Sequence, residues 1–321
     1  KTSENDEKKH CVYCSSTEVK RNGKSLQGRQ RYYCLRCHRS YSWRLGKEKS
    51  SRRYNWFKLW IEEGYSVREL ARMNRVSQST ARRVIQYWLE QTPKKIKVDF
   101  LTTKHLILDG TLLHRPRGIY AAMNAENHTL VDAAYNIREG GIELLSFYEH
   151  LAEAGLILES ATTDGNTQQI KYLREVWPKI ILQRCIVHVQ RQGLSWCRRN
   201  PKRTEAKELR ELFLKLTEIQ TKEKSLRFVK GVNAWERRFG LEIKTSTNRG
   251  RVFSDIIRAR SMLLKALPSL FHYLDNSKIP RSTNALEGYF SRLKEHYRLH
   301  RGLSKVNKQK YFLWYFFLKP K

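Results

Sequence analysis

Long hydrophobic runs are missing from the sequence, and proline, glycine and acidic side chains are scarce. The longest apolar run, Tyr311–Leu318, has eight residues. This is well short of the roughly 20 that a membrane-spanning helix needs, so no membrane partner is expected. Only 7 Pro and 16 Gly occur among 321 residues, which excludes collagen-like and linker-dominated chains. Because 40% of the residues are apolar and 29% are charged, we expect two or three folded domains rather than disorder.

The shortage of acidic residues leaves a large positive charge, and this charge is unevenly distributed. There are 31 Asp and Glu against 63 Lys and Arg, for a net charge of +32. Residues 1–100 carry a net +14, residues 101–185 a net −2 and residues 186–321 a net +20. A near-neutral centre between two basic parts indicates a catalytic region flanked by regions that bind nucleic acid. A generally basic surface, which would bind nucleic acid without specificity, is the alternative.

Four of the six cysteines form two pairs, Cys11–Cys14 and Cys34–Cys37, with two residues inside each pair. Two such pairs on tight turns can supply four thiolates to one structural Zn²⁺. The sequence therefore predicts a zinc ribbon over residues 1–46, whose small core would make the metal the main source of folding free energy. Two disulfides or a redox site are the alternatives. Nothing in the sequence suggests secretion, and a redox site would not need two matched pairs.

The ribbon segment is rich in basic and aromatic residues, which is typical of a nucleic-acid contact. Arg29 and Arg31 are its DNA-binding candidates, and Tyr32 and Tyr33 stand next to them. Packing of the two tyrosines over the metal site is an equally good interpretation.

Residues 50–91 have the pattern of three helices. Ser66 and Glu69 predict a capping box that opens the second helix, and Ser77 caps the third helix after a tight turn at Asn74–Val76. This is a helix-turn-helix layout, in which the last helix enters the major groove of DNA by its N-terminal end. The polar and basic residues at that end are Ser77, Gln78, Ser79, Thr80, Arg82 and Arg83. A plain three-helix bundle has the same apolar spacing, and residues 92–103 are the predicted linker.

From residue 104 the pattern changes to strands. Five strands and two helices are predicted in the order β-β-β-α-β-α-β, at His105–Asp109, Gly118–Asn124, Leu130–Ile137, Gly140–Gly155 (helix), Glu159–Thr163, Gln168–Trp177 (helix) and Lys179–Cys185. This order is that of an RNase H-like domain, and it makes the first and fourth strands neighbours in the sheet. The fold class is thus expected to be multidomain, α+β and α/β.

Asp109 and Asp164 each stand at the predicted end of a strand, and each is followed by glycine. On neighbouring strands the two carboxylates would project side by side, and their repulsion would be relieved by divalent cations. Such a pair suits two Mg²⁺ or Mn²⁺ ions about 4 Å apart, one activating a water or 3′-hydroxyl and one stabilising the leaving oxygen. An ordinary Asp-Gly turn would explain either aspartate alone.

A third carboxylate would complete such a metal site, and Glu287 is the candidate. It lies in the first turn of a helix predicted to open near Ser282, where the helix dipole favours negative charge. Asn284 and Glu287 are three apart and could also form a capping-box-like pair. Asp255 and Asp275 compete for the role, but neither lies in a recognisable motif.

These segments together resemble a known family. The paired cysteines, the helix-turn-helix, Leu-Asp109-Gly-Thr, Thr-Asp164-Gly-Asn, Cys185-Ile-Val-His188 and Ser-Thr-Asn-Ala-Leu-Glu287-Gly look like a bacterial insertion-sequence transposase. The relevant group is the Mutator-like superfamily of DDE transposases. The run Ser282–Leu303 is especially similar to the members that bear a zinc ribbon.

The resemblance implies a fold, a chemistry and partners. The RNase H-like catalytic domain would comprise residues 104–194 and 281–321, with an all-helical insertion at 195–280. Asp109, Asp164 and Glu287 would be the catalytic triad that holds two Mg²⁺ or Mn²⁺ ions, and Cys185 and His188 would match a C-x-x-H signature that is structural or contacts DNA. The family cuts double-stranded DNA at terminal inverted repeats and joins 3′ ends to target DNA. We therefore expect a homodimeric transposase in the bacterial cytoplasm, at the nucleoid.

Two other functions stay open at this point. A non-catalytic DNA-binding regulator would use only the ribbon and the helix-turn-helix, but it leaves the acidic residues unexplained. An RNase H-like nuclease or resolvase would hydrolyse DNA without joining it. The aromatic run Tyr311–Leu318 is expected to be a helix packed on the catalytic domain, and base stacking is its alternative function.

Overall fold

The structure, a computed structural model, describes residues 10–25, 28, 30–42, 46–94, 98–114, 117–138, 140–247 and 250–321. The chain folds into two compact units, residues 1–91 and residues 92–321. Within the described ranges, no helix is both long enough and apolar enough to cross a bilayer. Arg29 and part of the predicted linker, residues 95–97, lie outside the described residues.

The N-terminal unit begins with a small antiparallel sheet of strands β1 (Val19–Lys24), β2 (Gln30–Cys34) and β3 (Ser40–Tyr41), in the order β1-β2-β3. Among the residues described for this domain, the buried core consists of two cysteines and two tyrosines, Cys11, Cys34, Tyr32 and Tyr41. The rings of Tyr32 and Tyr41 stack with centroids 6.0 Å apart. Tyr32 therefore serves packing, whereas the half-buried Tyr33 hydrogen-bonds His38 at 3.2 Å.

Three helices follow: α1 (Gly46–Glu62), α2 (Val67–Met73) and α3 (Gln78–Glu90). Helix α1 starts four residues before residue 50, where the predicted three-helix pattern begins. The capping box of Ser66 and Glu69 is present at the start of α2, and the Ser77 side chain accepts the Thr80 amide at the start of α3. A short turn separates α2 from α3, and Arg75 in this turn has a positive φ of 51°.

The second unit is built on a five-stranded sheet of β4 (His105–His114), β5 (Arg117–Asn124), β6 (Leu130–Arg138), β7 (Ser160–Thr163) and β8 (Ile181–Arg184). The strand order is β6-β5-β4-β7-β8. Strands β4, β5 and β6 pair antiparallel, and β7 runs parallel to both β4 and β8. The first and fourth strands of this unit are thus neighbours, which is the arrangement expected from their order in the sequence.

The prediction that the first strand ends at Asp109 is wrong. Strand β4 continues to His114, and Asp109 lies in its interior opposite Ala121 of β5. The strand can continue because Gly118 lets β5 approach closely: a Cβ there would collide with the Thr111 carbonyl oxygen. The pairing of β4 with β7, in contrast, ends at Ile107 and Thr162, so Asp109 lies just past the parallel part of the sheet.

Helices α4 (Glu143–Glu153) and α5 (Thr167–Val176) cover one face of this sheet. Their buried side chains pack with Leu106 and Leu108 of β4 in one hydrophobic core. Because side chains alternate along a strand, Ile107 and Asp109 point to the opposite face. The Asp109 side chain therefore lies on the face of the sheet away from α4 and α5.

A helical insertion follows β8. It consists of α6 (Ile186–Cys197), α7 (Thr204–Lys215), α8 (Lys222–Thr245) and α9 (Arg251–Ala266), which share a hydrophobic core of their own. The helices expected at 204–217 and 254–267 correspond to α7 and α9. The expected domain boundary at 194/195 falls inside α6, whose buried residues Ile186, Val189 and Cys197 belong to the core of the insertion.

The chain then returns to the sheet with α10 (Asn284–Arg298) and α11 (Lys305–Leu318), which contact β4 and β6 respectively. The aromatic run in α11 is buried: Tyr311 and Phe312 are 0% exposed. The ring of Phe312 stacks on Tyr135 of β6 at 4.8 Å. Packing on the sheet, rather than base stacking, thus accounts for this aromatic helix.

The insertion core gives a first test of the fold. Phe213 of α7 is 0% exposed, and it lies against Gly193 of α6 where a Cβ would collide with its ring. We expect Phe213→Ala to lower the free energy of unfolding by about 3–5 kcal/mol, because the cavity cannot close around helices so near each other. Leu214→Ala, at the neighbouring 39% exposed position, should cost less than about 1 kcal/mol. Chemical denaturation measures both, and equal losses would contradict the packing described.

Candidate functional site

The four predicted zinc ligands lie at one point. The Sγ atoms of Cys11 and Cys37 are 3.6 Å apart, those of Cys14 and Cys34 are 3.7 Å apart, and all four lie within 4.8 Å of one another. A tetrahedral zinc–sulfur distance of about 2.3 Å requires sulfurs roughly 3.8 Å apart. The four cysteines are free thiols rather than disulfides, so both their number and their spacing fit one structural Zn²⁺.

Backbone amides in the two turns stabilise thiolates. The Tyr13 amide donates to Cys11 Sγ at 3.4 Å, and the Cys37 amide donates to Cys34 Sγ at 3.5 Å. This second hydrogen bond is the main cause that lowers the pKa of Cys34 to about 7. A thiolate that forms readily near neutral pH is the form that binds a metal ion.

The predicted recognition helix α3 presents basic side chains to solvent. Arg82 and Arg83 are exposed, and they reach back to Gln78 Oε1 at 3.3 Å and to Thr80 Oγ1 at 3.5 Å. Gln78 and Ser79 are exposed as well, and Thr80 is half-buried. The Ser77 hydroxyl caps the helix, which leaves its neighbours to contact a ligand. In the ribbon, Arg31 is exposed.

In the second unit, Asp109, His188 and Glu287 converge. One ligand atom from each lies within 4.8 Å of those from the other two. Asp109 comes from the interior of β4, His188 from the first turn of α6 and Glu287 from the first turn of α10. Two acids that are 178 positions apart in the sequence thus meet at a histidine. His188 had been expected only as part of a C-x-x-H signature.

Asp164 lies beside this group without joining it. It follows β7 directly, and the register that pairs Ile107 with Thr162 would, if continued, set Asp164 opposite Asp109. Its Oδ1 accepts the Asn166 amide at 3.1 Å, and the Thr163 hydroxyl oxygen lies 3.2 Å from it. The metal-ligand cluster itself comprises Asp109, His188 and Glu287.

A buried polar network fixes the Asp164 loop. The Thr163 hydroxyl donates to Gln169 Oε1 at 2.5 Å, and Gln169 in turn donates to the Tyr120 hydroxyl. Tyr120 and Tyr148 hydroxyls are 2.6 Å apart, and Gln169, Tyr120 and Tyr148 are each at most 2% exposed. Because unpaired polar groups are costly in such a place, this network ties the loop to the core beneath the sheet.

Burial dominates the electrostatics of Asp109, which is only 8% exposed. Burial raises the pKa of its carboxyl to about 7; His188 opposes this shift, and the negative charges of Asp164 and Glu287 add to it. The Gly110 amide, donating to Oδ1 at 2.8 Å, also favours the ionised form. An acid whose pKa lies near 7 is only partly ionised at neutral pH, and a cation nearby would keep it ionised.

Glu287 faces two basic side chains. Its Oε1 is 3.5 Å from His188 Nε2, and its Oε2 is 3.5 Å from Arg191. Thr283 precedes the helix as its N-cap, so Asn284 is already helical and the capping-box-like pair with Glu287 is not formed. Oε1 is buried without a hydrogen-bond partner. A bound cation would give this oxygen the partner that it lacks.

The C-x-x-H pair is joined inside the protein. Cys185 is 0% exposed, which favours the structural interpretation over a contact with DNA. Its sulfur accepts the Thr283 amide at 3.4 Å. A hydrogen bond between Cys185 and His188 is the largest cause that raises the pKa of His188 to about 9. For Cys185, burial acts to raise the thiol pKa, but the hydrogen bonds and charge of His188 outweigh it and the pKa is lowered.

Two arginines escaped the sequence reasoning. Arg184 at the end of β8 occupies the space that a side chain at Gly165 would need, and Gly165 has a φ of 88°. Together with Arg191, Arg184 lines a cavity of about 340 Å³ next to Asp164 and His188. The sequence signal is Gly165, which leaves room for the arginine next to Asp164; in the sequence alone, the Asp-Gly pair indicates only a strand-end acid, with a turn as the alternative.

The two competing acids have other partners. Asp255 of α9 pairs with Arg198 at 3.6 Å and with Arg258 at 3.7 Å. Asp275 is exposed and pairs with Lys222 at 2.7 Å. Neither belongs to the cluster at Asp109, so each has an ion pair to account for it.

Comparison with known families identifies the N-terminal domain. The family model described as the InsA N-terminal domain, a zinc ribbon, matches residues 8–38. This span contains all four clustered cysteines. The chain therefore carries an InsA-type zinc ribbon, and the ribbon predicted from the cysteine spacing is confirmed. A ribbon of this type points to DNA binding related to insertion sequences. No curated protein matches the chain.

Loss of one cysteine should remove the zinc. We expect the wild-type chain to hold one zinc ion and Cys34→Ser to hold none, because three thiolates with a small core cannot retain the metal against a chelator. Elemental analysis after EDTA treatment measures this. Cys197→Ser, at a buried free thiol of the insertion, is the matched control and should keep its zinc. Equal zinc content in both variants would contradict the site.

The raised pKa of Asp109 predicts a pH-dependent stability of the metal-free protein. Since the folded state favours the protonated acid up to about pH 7, stability is lost as the pH rises toward that value. Asp109→Asn should therefore gain stability relative to wild type, by about 3 kcal/mol more at pH 8 than at pH 5. Denaturation in chelator at both pH values tests this. Asp275→Asn, at an acid whose pKa its Lys222 partner lowers, should show no such gain. An equal advantage of Asp109→Asn at both pH values would contradict the burial effect.

Proposed function

We propose that this protein is a DDE-type DNA transposase of an insertion sequence, which cleaves the ends of the element and joins them to target DNA. The observation that carries the proposal is the convergence of Asp109 and Glu287 beside Asp164. An InsA-type zinc ribbon on the same chain supports a substrate that is insertion-sequence DNA. The Mutator-like superfamily is the group whose motifs the sequence most resembles.

The sheet supports an RNase H-like catalytic domain. Three antiparallel strands are followed by two parallel ones in the order β6-β5-β4-β7-β8, and helices lie on both faces. Asp109 on the central strand and Asp164 after its parallel neighbour then stand close to each other. Glu287 reaches them because α10, which carries it, contacts β4.

The residues fit divalent cations. The buried Oε1 of Glu287 lacks a hydrogen-bond partner, and Asp109 is almost fully buried. Asp109, Asp164 and Glu287 would hold the ions. When bound, such ions supply an activated hydroxyl nucleophile and stabilise the leaving oxygen at the phosphate.

The surrounding side chains would bind and orient the DNA strand. Arg184 and Arg191 line the cavity beside Asp164, where guanidinium groups can pair with phosphate oxygens. The polar network under Thr163 keeps the Asp164 carboxylate in place. Preorganised charge of this kind lowers the barrier because no rearrangement is needed during the reaction.

End recognition would fall to the N-terminal unit, through α3 and the basic ribbon. The exposed Gln78, Ser79, Arg82 and Arg83 suit base and phosphate contacts in a major groove. We infer that the active form is a homodimer, because an element has two ends and each needs its own recognition unit and acidic site.

The central test is Asp164→Ala. We expect this variant to bind end DNA like the wild type but to neither nick nor join it with Mg²⁺ or Mn²⁺. Asp275→Asn is the matched control, since that acid is exposed and ion-paired elsewhere; it should cleave and join normally. Gel assays on labelled end DNA measure binding, nicking and strand transfer separately.

Three results would count against the proposal. Normal strand transfer by Asp164→Ala would refute the catalytic assignment. Hydrolysis by the wild type without any joining would favour a nuclease or resolvase. A footprint that needs no divalent metal, with no cleavage under Mg²⁺ or Mn²⁺, would favour a DNA-binding regulator.

Recognition by α3 is testable separately. Arg83→Ala should weaken binding to end DNA by about 1–3 kcal/mol, because an exposed arginine at this end of the helix would contact a base or a phosphate. Arg174→Ala, at an exposed arginine of α5, removes the same charge and should change binding little. Fluorescence anisotropy at several salt concentrations measures both. Identical affinities would exclude α3 as the recognition helix.

A further inference from the structure

His188 lies where a metal ligand would lie, although the proposed triad does not include it. Its Nε2 is 3.5 Å from Glu287 Oε1, and its nearest ligand atom lies within 4.8 Å of those of both Asp109 and Glu287. Asp164 stands outside this group. Geometry alone thus favours two carboxylates and one imidazole around one of the ions.

The ring of His188 is anchored from behind. Its Nδ1 is 3.3 Å from the Thr283 hydroxyl, and the side chain also hydrogen-bonds Cys185. Cys185 is itself fixed, since it accepts from the Thr283 amide and is fully buried. A histidine that binds metal through one ring nitrogen is commonly held in this way through the other. The C-x-x-H spacing therefore has a geometric purpose: it positions Nε2.

The surroundings of Nε2 call for a cation. Glu287 Oε1, the atom that Nε2 faces, is buried without a hydrogen-bond partner. Asp109 is 8% exposed, and its carboxylate has the Gly110 amide as a donor at 2.8 Å. The buried Asp109 and the half-buried Glu287, both within reach of one histidine nitrogen, form a donor set for a metal ion rather than an ordinary surface ion pair.

We propose that Nε2 of His188 is a ligand, together with the Asp109 and Glu287 carboxylates, of one divalent metal ion in this protein. Cys185 and Thr283 are the positioning residues behind it. The nitrogen donor makes this position favour Mn²⁺ over Mg²⁺, because imidazole suits transition-metal ions whereas Mg²⁺ prefers oxygen ligands. The inference deepens the proposed function and rests on it only for what the ion does to DNA.

Pulsed electron paramagnetic resonance of bound Mn²⁺ tests the ligand directly. The full-length, zinc-loaded chain is titrated with Mn²⁺, and the coupling of the ion to ¹⁴N is recorded. We expect one histidine coupling in the wild type, which changes to the ¹⁵N pattern when the protein is made with ¹⁵N-histidine. His188→Gln should lose the coupling, and His150→Gln, at an exposed position of α4, should keep it.

The positioning residues have their own readout. Cys185→Ser should weaken Mn²⁺ binding about tenfold while the coupling persists, because residues behind a ligand tune the affinity without touching the metal. Asp164→Ala should also keep the coupling, since Asp164 lies outside the cluster. This variant separates the two ideas: loss of DNA joining with the coupling intact supports both.

The proposal is overturned if bound Mn²⁺ in the wild type shows no histidine nitrogen, or if the coupling persists in His188→Gln. Should His188→Gln fail to fold, the weaker Mn²⁺ binding of Cys185→Ser still assigns the coupled nitrogen to His188, the imidazole that Cys185 holds. An active enzyme without the coupling would leave the transposase proposal standing and end this one. A clear coupling in a protein that never cleaves DNA would support the metal ligand and end the transposase proposal.

Discussion

The second unit depends on a balance of charge around Asp109, on the central strand of its sheet. Three carboxylates, Asp109, Asp164 and Glu287, lie near each other in a place that excludes much of the water, where like charges repel strongly. His188, Arg184 and Arg191 offset them with positive charge from β8 and α6. Burial still raises the pKa of the Asp109 carboxyl to about 7. A further cation at this place would therefore favour the ionised carboxylate.

The two units solve the problem of folding differently. The ribbon buries two cysteines and two tyrosines in its core, too little apolar area for a segment of this size to fold without help. Four converging thiolates and one metal ion make up the difference. The second unit has two extensive hydrophobic cores, one under the sheet and one in the insertion. Such cores can offset the cost of burying the Asp109 carboxyl.

Sequence reasoning reached the parts of this protein that local patterns encode. The zinc ribbon follows from cysteine spacing, the caps of α2 and α3 from Ser66 and Ser77, and the strand order from the alternation of apolar runs. It failed where the outcome depends on distant partners. Strand β4 passes Asp109 because β5 pairs with it beyond that point, and no local signal shows this. Tertiary packing places His188 and Arg184 in the site. The sequence therefore shows His188 only as part of a C-x-x-H signature, and it gives no motif for Arg184.

Helix α6 links the acidic site to the core of the insertion. Its first turn carries His188 beside the acids, and its buried residues, from Ile186 to Cys197, belong to that core. Twelve residues of α-helix form a stiff rod of about 18 Å. Because His188 lies on this rod, the packing of the insertion sets where its imidazole stands relative to the two carboxylates.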